Sequence, residues 1–165
     1  MRNKKIHIFQ LCCNREIGPE ALKKYPDIQF IDPSNIASVE QIKFAIDQAY
    51  KAFERKENLS NNFLVEVLVR ASAQRQIKKA LELLGLKKSR KVIAVCEKIP
   101  RKMMQEYKCR RSEILSLDGQ KFERLKKIYD IGDEEISAVA GEGFEEKKKA
   151  LVEIIKERIA LIPTL

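Results

Sequence analysis

The chain is short of the residues that most site chemistry needs. In 165 residues it has no tryptophan, one histidine, six glycines, five prolines and four cysteines. Cys12 and Cys13 are adjacent, Cys96 and Cys109 stand alone, and His7 is the single imidazole, so no pair has metal-ligand spacing. This predicts no metal site and four reduced thiols. No Walker-type loop, GxSxG or HExxH motif is present, and Gly141-Glu142-Gly143 lacks the preceding strand and third glycine of a phosphate loop. The chain reads as a binder with no catalytic residues, cofactor or small-molecule substrate. No apolar run approaches the roughly 20 residues of a bilayer span. Met1-Arg2-Asn3-Lys4-Lys5 leads into alternation rather than a signal-peptide core, which predicts a cytoplasmic protein without membrane attachment. The length suits one domain, 1–165.

Charge is plentiful and unevenly placed. Thirty-three Lys and Arg face 24 Asp and Glu, a formal net charge of +9. Residues 1–15 carry +4, residues 16–69 carry −3, residues 70–111 carry +11 and residues 112–165 carry −3. A basic stretch therefore sits on a near-neutral scaffold. Such a stretch is either a solvated face or a footprint for phosphates, where each neutralised phosphate releases counterions and makes binding salt-sensitive. Tyr107 lies inside it, but no aromatic array or zinc knuckle marks a standard RNA module.

Periodicity places most of the elements. Lys4 to Cys12 alternates as a strand with Ile6 and Ile8 on one face and His7, Phe9 and Leu11 on the other. Pro19 opens a short helix, and Ile28–Ile31 is a second strand stopped by Asp32-Pro33. Ser38 and Gln41 form a capping box for a helix over about 39–56. The apolar run 63–71 fits helix or strand equally by pattern. Ser72 is placed to cap a helix through Gln74–Leu84 with a buried stripe of Ile77, Leu81 and Leu84, closed by Gly85. Lys91–Cys96 is a buried strand, Pro100 opens a helix, and Glu113–Leu117 reads as a strand. Helices follow over about 120–129, 133–140 and 144–162. The last has an apolar arc of about 200°, wider than one core contact needs. It is either a helix buried between two layers or one that meets another protein.

The segment from Asn61 to Leu86, with Val69-Arg70-Ala71-Ser72-Ala73-Gln74-Arg75-Gln76-Ile77 at its centre, resembles the signature of the small kinase-binding subunit of the KEOPS complex. In that family an apolar segment ends in a Ser-Gly-Ser-Arg-Gln-Ile-like motif. Here Ala73 and Gln74 stand for the usual Gly and Ser, and Leu84-Gly85 for Phe-Gly. Lys91–Cys96 matches the following strand, and Ile155-Lys156-Glu157-Arg158-Ile159-Ala160-Leu161-Ile162 resembles the family's C-terminal ending.

The resemblance implies a single α+β domain, a small mostly antiparallel β-sheet covered by helices, with 63–71 helical. It further implies an archaeal, non-catalytic member of the machinery that makes threonylcarbamoyladenosine in tRNA. Such a protein binds the complex's kinase/ATPase subunit and captures the single-stranded 3′ CCA end of tRNA. On that reading Arg70, Ser72, Ala73, Gln74, Arg75, Gln76 and Lys78 surround a helix N-terminus suited to phosphate. Leu151, Ile154, Ile155, Arg158, Ile159 and Ile162 then form the kinase-facing side of the last helix. The rival reading is a protein-interaction scaffold or regulator of the kinase that makes no specific RNA contact. The basic residues of 97–111 fall outside the part that aligns.

Overall fold

A computed structural model describes residues 5–162. Alternation in the first strand, β1 (His7–Ile17), sends Phe9, Leu11 and Cys13 to one side of a sheet and Ile6 and Ile8 to the other. The sheet has four antiparallel strands in the order β2-β3-β1-β4, with β2 at Gln29–Ile31, β3 at Ser89–Cys96 and β4 at Cys109–Arg111. Register runs from His7 against Cys96 to Cys12 against Lys91, and from Leu11 against Arg111 to Cys13 against Cys109. β3 has both faces covered, so Val92–Cys96 is a continuous buried run rather than an alternation.

Helices α1 (Pro19–Lys24) and α5 (Arg101–Glu106) lie along one face, where Met103 and Tyr107 join Phe9, Leu11 and Phe30. The other face carries α2 (Val39–Arg55), α3 (Phe63–Ala71) and α4 (Ile77–Leu84) around Ile42, Ile46, Leu68, Leu84 and Ile93. A third cluster forms outside α2, from α6 (Gly119–Ile128), α7 (Asp133–Val139) and α8 (Phe144–Ala160). The α+β class and the antiparallel sheet agree with the sequence reading, and 63–71 is helical. Among the described residues no helix is long and apolar enough to cross a membrane.

Several local expectations change. The sequence places a strand over Glu113–Leu117, but the strand is Cys109–Arg111. Gln10 Oε1 accepts from the Ile114 and Leu115 N–H groups (2.9 and 3.2 Å) and turns the chain off the sheet edge. Ser38 is the N-cap of α2 but makes no side-chain capping bond, and Gln41 reaches inward instead of completing a box. Helix α4 starts at Ile77 rather than Gln74, and its buried residues are Ala80 and Leu84, with Leu81 45% exposed.

The cysteines also depart from the expectation of four reduced thiols. Cys13 and Cys109 sit directly opposite each other on β1 and β4 and are joined as a disulfide, leaving Cys12 and Cys96 free. The cause is register, which spacing in the sequence does not reveal. The bond closes a loop with a sequence separation of 96, and it fixes a three-residue edge strand that otherwise has little to hold it. Reduction is expected to destabilise the fold by about 2–5 kcal/mol. Thermal unfolding with and without reductant measures this, and full alkylation of all four thiols in the native, unreduced protein would show that the bond does not form.

Candidate nucleic-acid interface and partner surface

The turn between α3 and α4 is built by buried polar groups. Glu66 and Arg70, one helical turn apart in α3, are both fully buried. Arg70 Nε donates to Glu66 Oε2 at 2.7 Å and its Nη2 donates to the Glu57 carbonyl at 3.1 Å. Glu66 Oε1 accepts from the Leu59 and Ser60 N–H groups (2.9 and 2.7 Å), so the pair holds the whole 57–60 loop against the start of α3. At the other end of α3, Gln41 Nε2 donates to the Ala71 carbonyl (2.8 Å) and to Tyr129 Oη (2.7 Å), while its Oε1 accepts from the Ala37 N–H (2.8 Å). Tyr129 in turn donates to the Asn35 carbonyl at 2.8 Å, and burial pushes its phenol well above the usual range. Lys121 donates to the Pro33 carbonyl and Arg124 to the Ser34 carbonyl (3.1 and 2.6 Å). Helix α6 and the residue after it thus bind three successive carbonyls of a 3-10 turn, Pro33–Asn35. Burial, with Arg124 nearby, pushes the Lys121 ammonium down to about 8.

On this support the chain from Ser72 to Gln76 turns sharply. Ser72, fully buried, donates from Oγ to the Val69 carbonyl (2.6 Å) and accepts from the Gln74 N–H (3.2 Å). It closes α3 and shapes the turn; it does not cap α4. Ala73 has a φ of 55°, in the left-handed region that favours glycine, and its N–H donates to the Arg70 carbonyl at 3.0 Å. Gln76 is the N-cap of α4 and makes no side-chain capping bond. No described group accepts from the N–H groups of Ile77, Lys78 and Lys79, and Arg75, Gln76, Lys78 and Lys79 around them are exposed. Free donors, the positive end of a helix dipole and cations on all sides favour an anion there.

Arg70 is the exception among the residues singled out for RNA. Its guanidinium is committed inside the protein, so it positions the turn and is not a surface cation. Ser72 is buried, Ala73 and Gln74 are half-buried, and Arg75, Gln76 and Lys78 lie at the surface.

The basic stretch divides in two. Lys87, Lys88, Arg90 and Lys91 follow α4 into the start of β3, and Lys91 and Arg110 flank Cys12 in neighbouring strands. Lys98, Arg101 and Lys102 fall beyond the far end of β3, where with Lys24 they line a cavity of about 610 Å³. Several cations elsewhere are paired with acids: Lys43 with Glu40, Lys126 with Glu123 and Asp133, Lys148 with Glu145, Lys156 with Glu153. Within 75–111, Lys88 has Glu16 at 4.0 Å.

The apolar arc of α8 is a core surface. Leu151, Ile154, Ile155 and Ile159, together with Ile162 just beyond the helix, are at most 6% exposed; the four helical residues pack with Phe122, Leu125, Tyr129 and Ile136. They are placed as core and not as a docking face, because α8 is covered by α2 on one side and by α6 and α7 on the other. Replacing Ile155 by Glu, the change that best fits a docking face on sequence grounds, therefore strikes the fold itself. Arg158 is half-buried; its Nη2 donates to both Glu135 carboxylate oxygens (2.7 and 2.8 Å) and to the Asp130 carbonyl (2.9 Å), which lowers the Glu135 pKa. The apolar residue left outside at this end is Leu161, 46% exposed.

Glu66 and Tyr129 were not singled out by sequence reasoning, and Gln41 was read only as half of a capping box. Their signal was a polar residue on an apolar face: Gln41 one turn before Ala45, and Glu66 inside the run 63–69. The strain at Ala73 has a direct test. An alanine in the left-handed region costs about 1–2 kcal/mol, which glycine avoids in part. Ala73→Gly is therefore expected to raise stability by about 0.5–1 kcal/mol, read as a higher Tm; an unchanged or lower Tm would mean that the Ala73 methyl contributes more by packing than its backbone loses.

Comparison with known proteins agrees with this architecture. The family model described as kinase binding protein CGI-121 matches residues 10–162. Regulatory protein Cgi121 of Methanocaldococcus jannaschii is 30% identical over 145 residues, covering 88% of this chain and 78% of the relative. With the match spanning nearly all of the sheet and every helix, the chain belongs to the CGI-121 kinase-binding protein family.

Proposed function

We propose that this protein is the non-catalytic, kinase-binding subunit of a KEOPS-type complex and that it recruits tRNA by its single-stranded 3′ end for threonylcarbamoyladenosine formation. The observation that carries the RNA part is the α4 N-terminus. Its free N–H groups face solvent amid Arg75, Gln76 and Lys78, in a stretch where cations far outnumber acids. A terminal phosphate would accept from the N–H groups of Ile77–Lys79 and from Arg75, while Ser72, Ala73 and Gln74 keep the turn low enough for a base to approach. The Lys87–Lys91 segment and Arg110 extend the same charge and suit the adjoining phosphates.

Intact tRNA is expected to bind at least tenfold more tightly than tRNA trimmed of its CCA end. Arg75→Ala should weaken intact tRNA by about tenfold and reduce the salt slope by about one. Equal binding of both RNAs with a steep salt slope would replace specific capture by general polyanion binding. No binding of either would leave a scaffold that serves the kinase alone.

For the kinase partner, the C-terminal end of α8 offers an exposed apolar residue, Leu161. Leu161 supplies the contact, and Arg158, held in place by Glu135, borders it. Leu161→Glu is expected to weaken the kinase complex by about tenfold or more at unchanged Tm. Unaltered kinase affinity, measured by titration calorimetry, would move the interface elsewhere.

A further inference from the structure

β1 carries more hydrogen-bonding capacity than its neighbours use. In an antiparallel ladder, successive residues turn their N–H and C=O groups to opposite sides. The Ser112 N–H donates to the Gln10 carbonyl and the Asn14 N–H donates to the Lys108 carbonyl, each at 3.1 Å, so even-numbered residues of β1 face β4. Pairing with β4 covers only Leu11–Cys13. Beyond Ser112 the Gln10 side chain draws Ile114 and Leu115 away from the edge, and both pack over the helical face of the sheet. The N–H and carbonyl of Ile8 are left facing outward with no described partner. On its other side Ile8 lies within an unbroken ladder to β3, aligned with Val95, so this open edge is held rigid.

The edge opens on a groove of about 680 Å³ lined by His7, Ile8, Phe9, Gln10, Ile99 and Arg111, closed by Ser112 and Glu113. Ile99 is 43% exposed, and the Arg111 guanidinium lies 4.7 Å from the centre of the Phe9 ring with no carboxylate paired to it. Exposed Lys5 and Lys98 lie close in sequence to the lining residues, as does exposed Glu97, and Glu113 is the acid within the lining. A second copy of β1 fits poorly. Antiparallel pairing about Ile8 would set the copy's Ile6 against Gln10, whose carbonyl Ser112 already occupies.

We propose that the open edge of β1 at His7–Phe9 docks an extended acidic segment of another protein. The segment adds as a short strand on the Ile8 N–H and carbonyl, sets an apolar side chain against Phe9 and Ile99, and places a carboxylate on Arg111. Affinity comes from the main-chain bonds on a preformed ladder, and selectivity from an apolar and an acidic side chain two residues apart, on the one face that Phe9 and Arg111 share.

The probe is a capped octapeptide in which valine and glutamate take turns at every second residue with threonine between them, titrated into the isotope-labelled protein. Saturable binding is expected, with exchange of the Ile8 amide hydrogen slowed by about tenfold or more and an affinity at least tenfold above that of the peptide with lysine in place of glutamate. Ile8→Pro removes the outward N–H while His7 and Phe9 keep their bonds to β3, and it should abolish binding. Arg111→Glu leaves the backbone intact, decides the matter if the proline variant does not fold, and should cost about tenfold. No saturable binding at millimolar peptide, unchanged exchange at Ile8, or undiminished affinity in Arg111→Glu would each overturn the proposal. So would protection of Ile8 that rises with protein concentration in the absence of peptide, which would make a second copy the occupant.

Discussion

The amide of Gln41 is the contact on which the arrangement of helices around the candidate site depends. With its three buried hydrogen bonds it joins the N-terminal end of α2, the last turn of α3 and the phenol that follows α6. Each bond contributes only about 1 kcal/mol net, but leaving the Ala71 carbonyl or the Ala37 N–H unpaired in the core would cost about 1–3 kcal/mol apiece. The requirement for satisfaction is therefore stronger than the attraction, and it admits one arrangement of α2, α3 and α6. Ala71 immediately precedes Ser72, so the network that orders the core also sets where the turn begins.

The same helix is anchored at its other end by a buried ion pair. Glu66 and Arg70 face inward with backbone groups of 57–60 bonded to Glu66 Oε1 and Arg70 Nη2, which offsets part of the cost of removing both charges from water, while Arg70 Nη1 is buried with no described partner. With α3 fixed at both ends, the left-handed Ala73 is held in place by its surroundings rather than by its own preference. The rigidity matters for an anion site, since free N–H groups attract a phosphate well only when they already point together.

Electrostatics separates two parts of one surface. Over α2, α6, α7 and α8, cations pair with nearby acids, often three residues apart on the same helix, and little net field remains. From Arg75 to Arg111 thirteen cations meet three acids, Glu82, Glu97 and Glu106, so a net positive charge is projected into solvent. The near-neutral part carries the exposed Leu161, and the charged part carries the open N-terminus of α4.

The antiparallel sheet was implied by the family resemblance, whereas composition and pattern alone determined much of the scaffold: an opening strand from alternation at 6–11, an amphipathic α2, the buried run 92–96, and the location of the net charge. Those properties are local, set by side-chain periodicity and by the count of charges along the chain. Tertiary structure decided what each residue is available to do. Arg70 reads as one more cation in a basic stretch, and only the fold places Glu66 and the Glu57 carbonyl around it. The 200° arc of α8 fitted a partner or a core, and only the packing of α2, α6 and α7 on both sides made it core. Cys13 and Cys109 bond because two strands set them opposite each other across a separation that no spacing rule spans. Local sequence specifies a residue's chemistry and its element, whereas long-range contacts, formed when the whole chain closes, decide whether that chemistry is spent inside or offered to a partner.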